Sequence, residues 1–355
     1  MSNFWTTLPK PFFALAPLED VTDAAFRRLI ARYGKPAVMF TEFTSADGLF
    51  FANPVRSRAR ASAPEGPLGR AHQTEMCTCG RATSNGGTES GWNKLQAKLL
   101  FSDSERPIVA QLFTSSPERM KYAAEHVAKL GFDGIDVNMG CPDRAVEKSG
   151  CGAALIKNPA LARELIRAAG EAGLPVSVKT RMGYLENELE TWLPELLAEN
   201  LSAITIHART RKEMSNVPAR WDMVAKAVTI RDSRGSKTLI IGNGDVRDIA
   251  DARAKAAESG CDGVMLGRAI FGNPFLFAHS AECANVKEAK LKALSEHLAL
   301  FEELLSKTAN YATMKKHFAS YIRGWNGAKE LRMKLMETNN YAEARAILTD
   351  VILDI

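Results

Sequence analysis

A regular alternation along the chain constrains the fold most strongly. Short β-branched runs are followed by amphipathic helical stretches, with glycine or proline between them. This order is typical of βαβ units, in which helical crossovers join parallel strands. Eight candidate strands are predicted: Phe12 to Pro17, Ala37 to Phe43, Ile108 to Phe113, Gly134 to Met139, Val176 to Arg181, Ala203 to Ala208, Leu239 to Gly242 and Gly263 to Gly267. The candidate helices between them include Asp23 to Tyr33, Glu118 to Leu130, Leu161 to Glu171, Glu188 to Glu199 and Ile249 to Ser259.

Eight such units over roughly 265 residues have the size of a closed (β/α)8 barrel, or TIM barrel. A doubly wound open sheet is the alternative that the same rhythm allows. After Pro274 only helical patterns remain, in Lys287 to Leu305, Tyr311 to Arg323 and Ala328 to Leu335. We therefore predict an α/β barrel domain over residues 1–275 and a small all-helical domain over residues 276–355.

One polar stretch, Ala52 to Leu95, interrupts the rhythm between the second and third strands. It is rich in glycine, serine, threonine, asparagine and arginine, and such a composition does not bury enough apolar surface to form a core element. As a βα connection it is expected on the C-terminal face of the barrel. Two interpretations stay open, a surface loop without a role or a segment that contacts phosphates through arginines: Arg56, Arg58, Arg60, Arg70 and Arg81.

Composition and cysteine spacing argue against a secreted, a membrane-spanning or a zinc-finger protein. The chain has 355 residues, 46% hydrophobic and 25% charged, with a net charge of +5, as in ordinary soluble proteins that tolerate a polyanionic partner. No secretory leader or apolar span is apparent, so we expect a cytoplasmic protein, and a monomer, without a membrane partner. The cysteines are scattered and are read as reduced thiols. Cys77-Thr-Cys79 lacks a second pair at zinc-finger spacing, so no metal site is expected.

Polar side chains recur at the predicted strand ends, where barrel enzymes place their active sites. A packed barrel core does not require them, and their number favours a functional cavity over isolated structural groups. They are Gln111, Asn138, Cys141, Lys179, Arg181, His207, Arg209, Asn243, Asp245 and Arg268.

Two glycine turns favour a phosphorylated cofactor. Asn243-Gly244-Asp245 and Gly267-Arg268 follow the seventh and eighth strands, where backbone N–H groups and an arginine can meet a phosphate. No G-x-G-x-x-G segment opens a helix, so a Rossmann nicotinamide site is not supported. Lys179 would face the reactive end of the cofactor. Because a cation beside the pyrimidine edge of a flavin stabilises the reduced ring, FMN is favoured over a sugar phosphate.

Cys141 is the predicted catalytic residue. It lies in a Gly-Cys-Pro turn that leaves a strand end, which exposes the thiol to the expected cavity. A cysteine without a chemical role is usually buried among apolar side chains. No histidine–aspartate pair is apparent beside it to generate a thiolate, so proton donation is a more economical role than nucleophilic attack.

Six motifs carry a resemblance to a known family, in its order and spacing: Ala16-Pro17-Leu18-Glu19-Asp20-Val21-Thr22-Asp23, Asn138-Met139-Gly140-Cys141-Pro142, Lys179-Thr180-Arg181, His207-Ala208-Arg209-Thr210, Asn243-Gly244-Asp245 and Gly267-Arg268. The chain resembles the tRNA-dihydrouridine synthases over nearly its whole length, including Met314-Lys315-Lys316-His317 in the tail. The resemblance implies an FMN-dependent oxidoreductase that uses NADPH to reduce the C5=C6 bond of uridines in tRNA. Reduced flavin would deliver hydride to C6, and Cys141 would protonate C5.

The resemblance also implies residue roles. The FMN-binding set would be Ala16, Pro17, Leu18, Gln111, Lys179, His207, Asn243, Gly244, Asp245, Gly267 and Arg268. Asn138 and Arg181 would contact the target nucleotide, and Arg209 would be a further substrate contact. The target base would have to leave its stack to reach the flavin.

The helical tail carries a basic segment from Tyr311 to Met336. It holds six lysines and arginines against one acid, Glu330, an excess of +5, and aromatic residues lie among the charges. This pattern predicts contact with the tRNA backbone, by Lys315, Lys316 and Arg323 in particular. A solvated basic face on a structural cap is the alternative.

Two other functions remain open. A flavin barrel enzyme acting on a free pyrimidine, as dihydroorotate dehydrogenases do, would leave the basic tail without a purpose. An RNA-binding or RNA-folding factor without turnover would not need Cys141 and Lys179.

Overall fold

The computed structural model describes residues 3–54, 89–278 and 287–353. Nine parallel strands are present in these ranges: β1 (Phe12–Leu15), β2 (Met39–Phe40), β3 (Thr44–Ser45), β4 (Ile108–Phe113), β5 (Gly134–Met139), β6 (Val176–Arg181), β7 (Ala203–His207), β8 (Leu239–Asn243) and β9 (Gly263–Leu266). They pair in the order β1-β9-β8-β7-β6-β5-β4-β2, and β3 also pairs with β4. A parallel bridge between Ala14 and Val38 joins the two ends of the sheet. The predicted eight-fold barrel is therefore confirmed, and the open-sheet alternative is wrong.

The second barrel strand departs from its prediction. It was expected over Ala37 to Phe43, but two short pieces, β2 and β3, both pair with β4. Between them the hydroxyl of Thr41 accepts a hydrogen bond from the backbone N–H of Gln111 at 3.1 Å. The Thr41 side chain accepts an N–H that a backbone carbonyl would accept in a regular strand, so the ladder of backbone hydrogen bonds is interrupted here.

The barrel interior changes from apolar to polar along the strands. Near the strand N-termini the side chains of Phe12, Val109 and Leu239 pack around Trp5, which belongs to a short 3₁₀ helix, Phe4–Thr7. The other face of each strand packs against the helices, as in β5, where Ile135 and the residues at alternate positions enter the outer core. The polar side chains that surround the cavity described below stand toward the C-terminal ends of the strands.

Helices cover the outside of the barrel: α1 (Ala24–Tyr33), α2 (Ala46–Ala52), α3 (Glu89–Lys98), α4 (Pro117–Lys129), α5 (Arg144–Lys148), α6 (Pro159–Gly170), α7 (Leu189–Leu197), α8 (Trp221–Ser233) and α9 (Ile249–Ser259). Short polar side chains begin several of them. Ser116 precedes Pro117 and accepts the N–H of Arg119, and Asp248 accepts the N–H of Asp251.

The end of the polar stretch between the second and third barrel strands is helical, which corrects its prediction. Its last residues belong to α3, and Leu95 is only 4% exposed because it packs into the core. Trp92 and Ala97 of the same helix pack against this core as well. Residues 55–88 lie outside the described residues, and with them the arginines and the Cys77-Thr-Cys79 pair named above.

The tail contains four helices in its described part, α10 (Lys287–Leu305), α11 (Thr313–Tyr321), α12 (Ala328–Glu337) and α13 (Tyr341–Leu353). The sequence predicted three of them and missed α13, which buries only Ala344 and Leu348. His317, Phe318 and Tyr321 of α11, which the sequence places among the basic residues, are buried and belong to the core of the tail. Among the described helices, none has the length and apolar character needed to cross a membrane.

Candidate active site

A cavity of about 330 Å³ opens at the C-terminal ends of the strands. Every residue that the sequence predicted for cofactor binding lines it, together with Cys141 and three predicted substrate contacts. The lining is Ala16, Pro17, Leu18, Phe43, Gln111, Asn138, Gly140, Cys141, Pro142, Lys179, Arg181, His207, Arg209, Ser215, Asn243, Gly244, Asp245, Val246, Met265, Gly267 and Arg268. Residues separated by up to 252 positions in the chain therefore meet in one place because their strands are parallel neighbours.

A line of side-chain hydrogen bonds positions the Cys141 turn. The Asn138 side-chain oxygen accepts the backbone N–H groups of Gly140 (3.1 Å) and Cys141 (2.9 Å). The Asn138 amide nitrogen donates to the side-chain oxygen of Gln111 at 3.0 Å, and the Gln111 amide donates to Asp136 at 2.8 Å. Burial raises the pKa of Asp136 to about 6, against the opposing effects of its hydrogen bonds and of Lys179. Asn138 thus acts within the protein as the support of the turn.

The chain after Cys141 is equally constrained. Asp143 begins α5 by accepting the N–H groups of Ala145 and Val146. Gly152 has φ +60°, and a Cβ atom there would lie 2.6 Å from the Cys141 carbonyl oxygen. A side chain at this position would displace the turn, so glycine is required behind the thiol.

The thiol of Cys141 is partly buried at the cavity wall. Burial raises its pKa above the ordinary value of 9.0, and the charge of Asp143 acts in the same direction. The backbone N–H of Asp143 and the charges of Arg181 and Lys179 oppose this effect without reversing it. The group is therefore a thiol at neutral pH, which suits proton donation better than nucleophilic attack.

Two cations lie beside the thiol. Lys179 makes no hydrogen bond within the described part of the chain, and burial, followed by the charge of Arg181, lowers its pKa to about 8. Burial likewise lowers the pKa of Arg181 to about 10. The Arg181 guanidinium donates from Nε to the Gly140 carbonyl at 2.9 Å and from Nη1 to the carbonyls of Thr210 (3.0 Å) and Met214 (3.1 Å). Because the pKa values of both cations are lowered, a negatively charged ligand in this cavity would stabilise their charged forms.

The opposite wall is organised around Asp245. Its carboxylate forms ion pairs with Arg209 and, at 2.7 Å, with Arg268. Arg209 is only 2% exposed, and it also contacts the His207 ring at 3.1 Å and the Val217 carbonyl at 2.6 Å. Burial and the surrounding cations hold the pKa of His207 far below its usual range, so its imidazole is neutral. Arg209 is fixed by protein groups, whereas Arg268 is largely exposed to the cavity mouth.

Of the two glycine turns, Gly244 has the stronger steric requirement. Its φ is +128°, and an added Cβ would lie 2.8 Å from the Ala219 Cβ. The Trp221 indole N–H donates to the Gly244 carbonyl at 2.9 Å and fixes the turn. At Gly267 an added Cβ would meet only an ordinary contact, 3.7 Å from the Ala16 Cβ.

Several lining residues were not predicted from the sequence: Phe43, Gly140, Pro142, Ser215, Val246 and Met265. Phe43 carried a usable signal, because it ends the second predicted strand. Asp136 was also missed, although it stands two positions before Asn138 and thus on the same side of β5. Ser215 comes from an irregular loop, which no periodic pattern could have placed.

The predicted tail contacts lie apart from the cavity. Each of the three cations has a partner within the protein. Lys316 forms an ion pair with Asp20 at 2.7 Å, and Lys315 donates to the Met336 carbonyl at 2.8 Å. Arg323 donates to the Phe271 carbonyl at 3.0 Å. Lys316 and Arg323 consequently join the tail to the barrel while staying exposed.

Comparisons with known proteins agree with the motifs. The family described as Dihydrouridine synthase (Dus) matches residues 14–354. A probable tRNA-dihydrouridine synthase of Staphylococcus aureus (strain MRSA252) is 39% identical over 350 residues, which cover 98% of this chain and 95% of that protein. The probable tRNA-dihydrouridine synthase 2 of Bacillus subtilis (strain 168) is 38% identical, covering 98% and 96%.

Among solved structures, an old yellow enzyme homologue from Zymomonas mobilis matches with a TM-score of 0.43 and 15% identity, over 77% of this chain and 90% of that one. The family match extends from the first barrel strand to the last tail helix and includes every segment that lines the cavity. The chain therefore belongs to the dihydrouridine synthase family.

Proposed function

We propose that this protein reduces specific uridines in tRNA to 5,6-dihydrouridine, with FMN as cofactor, NADPH as reductant and Cys141 as the proton donor. One observation carries the proposal: a cysteine held in its thiol form stands on a cation-lined cavity at the C-terminal end of a barrel. The curated relatives are named as tRNA-dihydrouridine synthases, which supports tRNA as the substrate.

The chemistry of the cavity fits FMN. Four cations line it against one carboxylate, Asp245, so the site favours a ligand with several negative charges. The Lys179 side chain has no hydrogen bond or ion pair among the described residues, and it suits the anionic edge of a reduced flavin ring. Arg268 stands at the exposed end beside Gly244 and Gly267, where it suits the phosphate. When bound, FMN would supply the hydride that adds to C6 of the uracil ring.

Other lining residues would shape this site. Ala16, Pro17 and Leu18 supply the wall that follows β1, and polar groups come from β4, β7 and β8 through Gln111, His207 and Asn243. Because Arg209 Nη1 can only donate to Nε2 of His207, the neutral imidazole carries its proton on Nδ1 and can donate one further hydrogen bond without adding charge. We assign Asp245 to holding Arg209 and Arg268 in place, because a carboxylate in direct contact with the phosphate would repel it.

Cys141 would complete the reduction by donating its proton to C5 of the uracil ring. The Asn138 amide fixes the Cys141 backbone and thereby the direction of the thiol. Arg181 uses Nε and Nη1 on backbone carbonyls, so Nη2 is the part of its guanidinium that can meet a carbonyl oxygen of the uracil. Arg209 acts on the substrate only through its neighbours, since its side chain is buried.

The target uridine has to leave its stack to reach the cavity, so the RNA must be gripped elsewhere. We propose residues 276–355 as the tRNA-binding domain, with Lys315, Lys316 and Arg323 facing the phosphate backbone. Binding would compete with the partners that these cations have in the free protein, such as Asp20 for Lys316. A substrate of this kind places the protein in the cytoplasm, and we expect it to act as a monomer.

The experiment is to map dihydrouridine in tRNA from cells that lack this protein and from the same cells carrying the wild-type gene or Cys141→Ala. We expect dihydrouridine to disappear from one or more tRNA positions and to return only with the wild-type gene. An unchanged dihydrouridine pattern in the deleted strain would contradict the proposed substrate. Flavin absorbance of the purified protein would test the cofactor separately.

A further inference from the structure

A second cluster of titratable groups lies away from the cavity, at the junction of the barrel and the tail. Asp23 stands at the start of α1, His297 in the middle of α10 and His317 in the middle of α11. One side-chain donor atom from each lies within 4.8 Å of the others. The residues are 5%, 0% and 1% exposed, so the cluster is closed to bulk solvent.

The nitrogen and oxygen atoms that this cluster could offer to an ion have no hydrogen-bond partners in the described part of the chain. These atoms are Oδ2 of Asp23, both ring nitrogens of His297, Nε2 of His317 and the nearby hydroxyl of Tyr321. The other carboxylate oxygen of Asp23 is engaged, since it accepts the N–H of Phe26 at 2.9 Å as the cap of α1. Buried polar groups are nearly always satisfied by protein, water or an ion, so several unsatisfied atoms at one point indicate a missing common partner.

Packing holds the two imidazoles in a defined arrangement. Their ring centroids are 4.4 Å apart at 75°, so one ring edge faces the other ring. Phe26 stacks on His297 at 4.9 Å and contacts His317 at 5.1 Å.

We propose that Asp23, His297 and His317 bind one divalent transition-metal ion, best matched by Zn²⁺, at a structural site. Two imidazole nitrogens and one carboxylate oxygen are a donor set that zinc uses, and the Tyr321 hydroxyl is the candidate fourth ligand. Because the cluster is closed to solvent, the ion serves structure and not catalysis. It would connect the first helix of the barrel to two tail helices and thereby fix the tail relative to the active-site cavity.

The direct test uses untagged full-length protein incubated with ZnCl₂, desalted and analysed for metal by mass spectrometry. We expect one zinc per chain. With CoCl₂ instead, we expect the visible absorption of Co²⁺ bound by nitrogen and oxygen ligands. Asp23→Asn is the least disruptive variant, because asparagine still caps α1 while the anionic ligand is lost. It should weaken zinc binding by more than the roughly 10–100-fold that loss of a supporting group costs.

Two controls separate this site from others. His126→Gln removes a histidine outside the cluster, whose ring lies against Gln96 and Trp92, and it should keep the zinc. Cys77→Ser with Cys79→Ser removes the one closely spaced cysteine pair of the sequence and should also keep the zinc. If His317→Gln does not fold, the wild-type protein and Asp23→Asn still decide the question, because a chelator should lower the melting temperature of the first and not of the second.

Three results would overturn the proposal. Wild-type protein could retain no metal after incubation, which would leave water as the partner of these atoms. Asp23→Asn could retain zinc as tightly as the wild type. Zinc could also be lost from the cysteine double variant and kept by Asp23→Asn, which would place it outside the cluster.

Discussion

Replacing Cys141 with alanine should abolish most turnover without affecting cofactor binding. Alanine keeps the backbone N–H that Asn138 accepts, and it leaves Lys179 and Arg268 in place. Loss of a general acid typically costs about 10²–10⁴-fold, or about 3–5 kcal/mol of transition-state stabilisation. The rate is best measured by mixing NADPH-reduced protein with unmodified tRNA under anaerobic conditions and following flavin absorbance in a stopped-flow instrument.

The pH dependence of the reduction rate tests the same role of Cys141. A proton donor works while it is protonated, and burial raises the pKa of Cys141 above 9.0. At pH 7 at least about 99% of the protein carries the thiol, so the rate should not fall between pH 7 and 8. It should fall only as the pH rises through the raised pKa, and Cys141→Ala should lose this alkaline decrease.

Cys151→Ala is the matched control. Cys151 is 0% exposed, does not line the cavity and exchanges hydrogen bonds with Ser149, so its removal should leave the rate unchanged. The reasoning would be refuted by a Cys141→Ala rate equal to that of the wild type, or by a large loss in Cys151→Ala alone.

Three further predictions concern the cofactor site, the tail and stability. Gly244→Ala should yield protein with little FMN, measured as flavin absorbance per chain, because the φ of +128° and the close Cβ contact displace the turn. Changing Lys315, Lys316 and Arg323 together to alanine should raise the Kd for tRNA and lower the slope of log K against log salt by about 2–3, at unchanged flavin content. Arg27→Met should lower the free energy of unfolding by about 3–5 kcal/mol in urea titrations, since it leaves a fully buried glutamate unpaired.

Each of these predictions has a control. For the tail, the triple change of Lys129, Arg234 and Lys237 to alanine removes the same charge from exposed positions near the opposite end of the barrel, and it should leave the salt slope unchanged. Gly267→Ala has room for its methyl group and should keep FMN. For the buried pair, Arg27→Met with Glu105→Leu should recover most of the lost stability, because no charge is then left buried.

The barrel was predictable because each strand can be recognised from a short run of consecutive residues. Buried parallel strands are almost continuously apolar, and β4 and β5 have the bounds that the sequence predicted. The split of the second strand was not predictable, because it depends on the Thr41 hydroxyl meeting the N–H of Gln111, a partner 70 residues away. The helix that contains Leu95 was hidden by the polar residues around it, since its contact with the barrel core involves few apolar residues.

The candidate site was predictable for a related reason. Polar residues at the ends of parallel strands converge once the strands form a barrel, so a position at a strand end was enough to place Lys179 or His207. What each side chain contacts was not predictable. Asn138 and Arg209 line the cavity, and their role as substrate contacts stays a prediction; the bonds that each also makes to protein groups carried no signal in the sequence. The buried pair His297 and His317 was missed because twenty residues separate them and they meet only when α10 packs on α11.

Reduction of uridine within tRNA by this cavity can be measured directly. The FMN-loaded protein is incubated with NADPH and an unmodified tRNA transcript, without oxygen, and the nucleosides are identified after digestion. We expect dihydrouridine at discrete positions, one NADPH consumed for each residue formed, and a rate lower by about 10²–10⁴-fold with Cys141→Ala. A protein that oxidises NADPH under air but leaves the transcript unchanged, or that reduces a free pyrimidine at least as fast as tRNA, would contradict the proposed function.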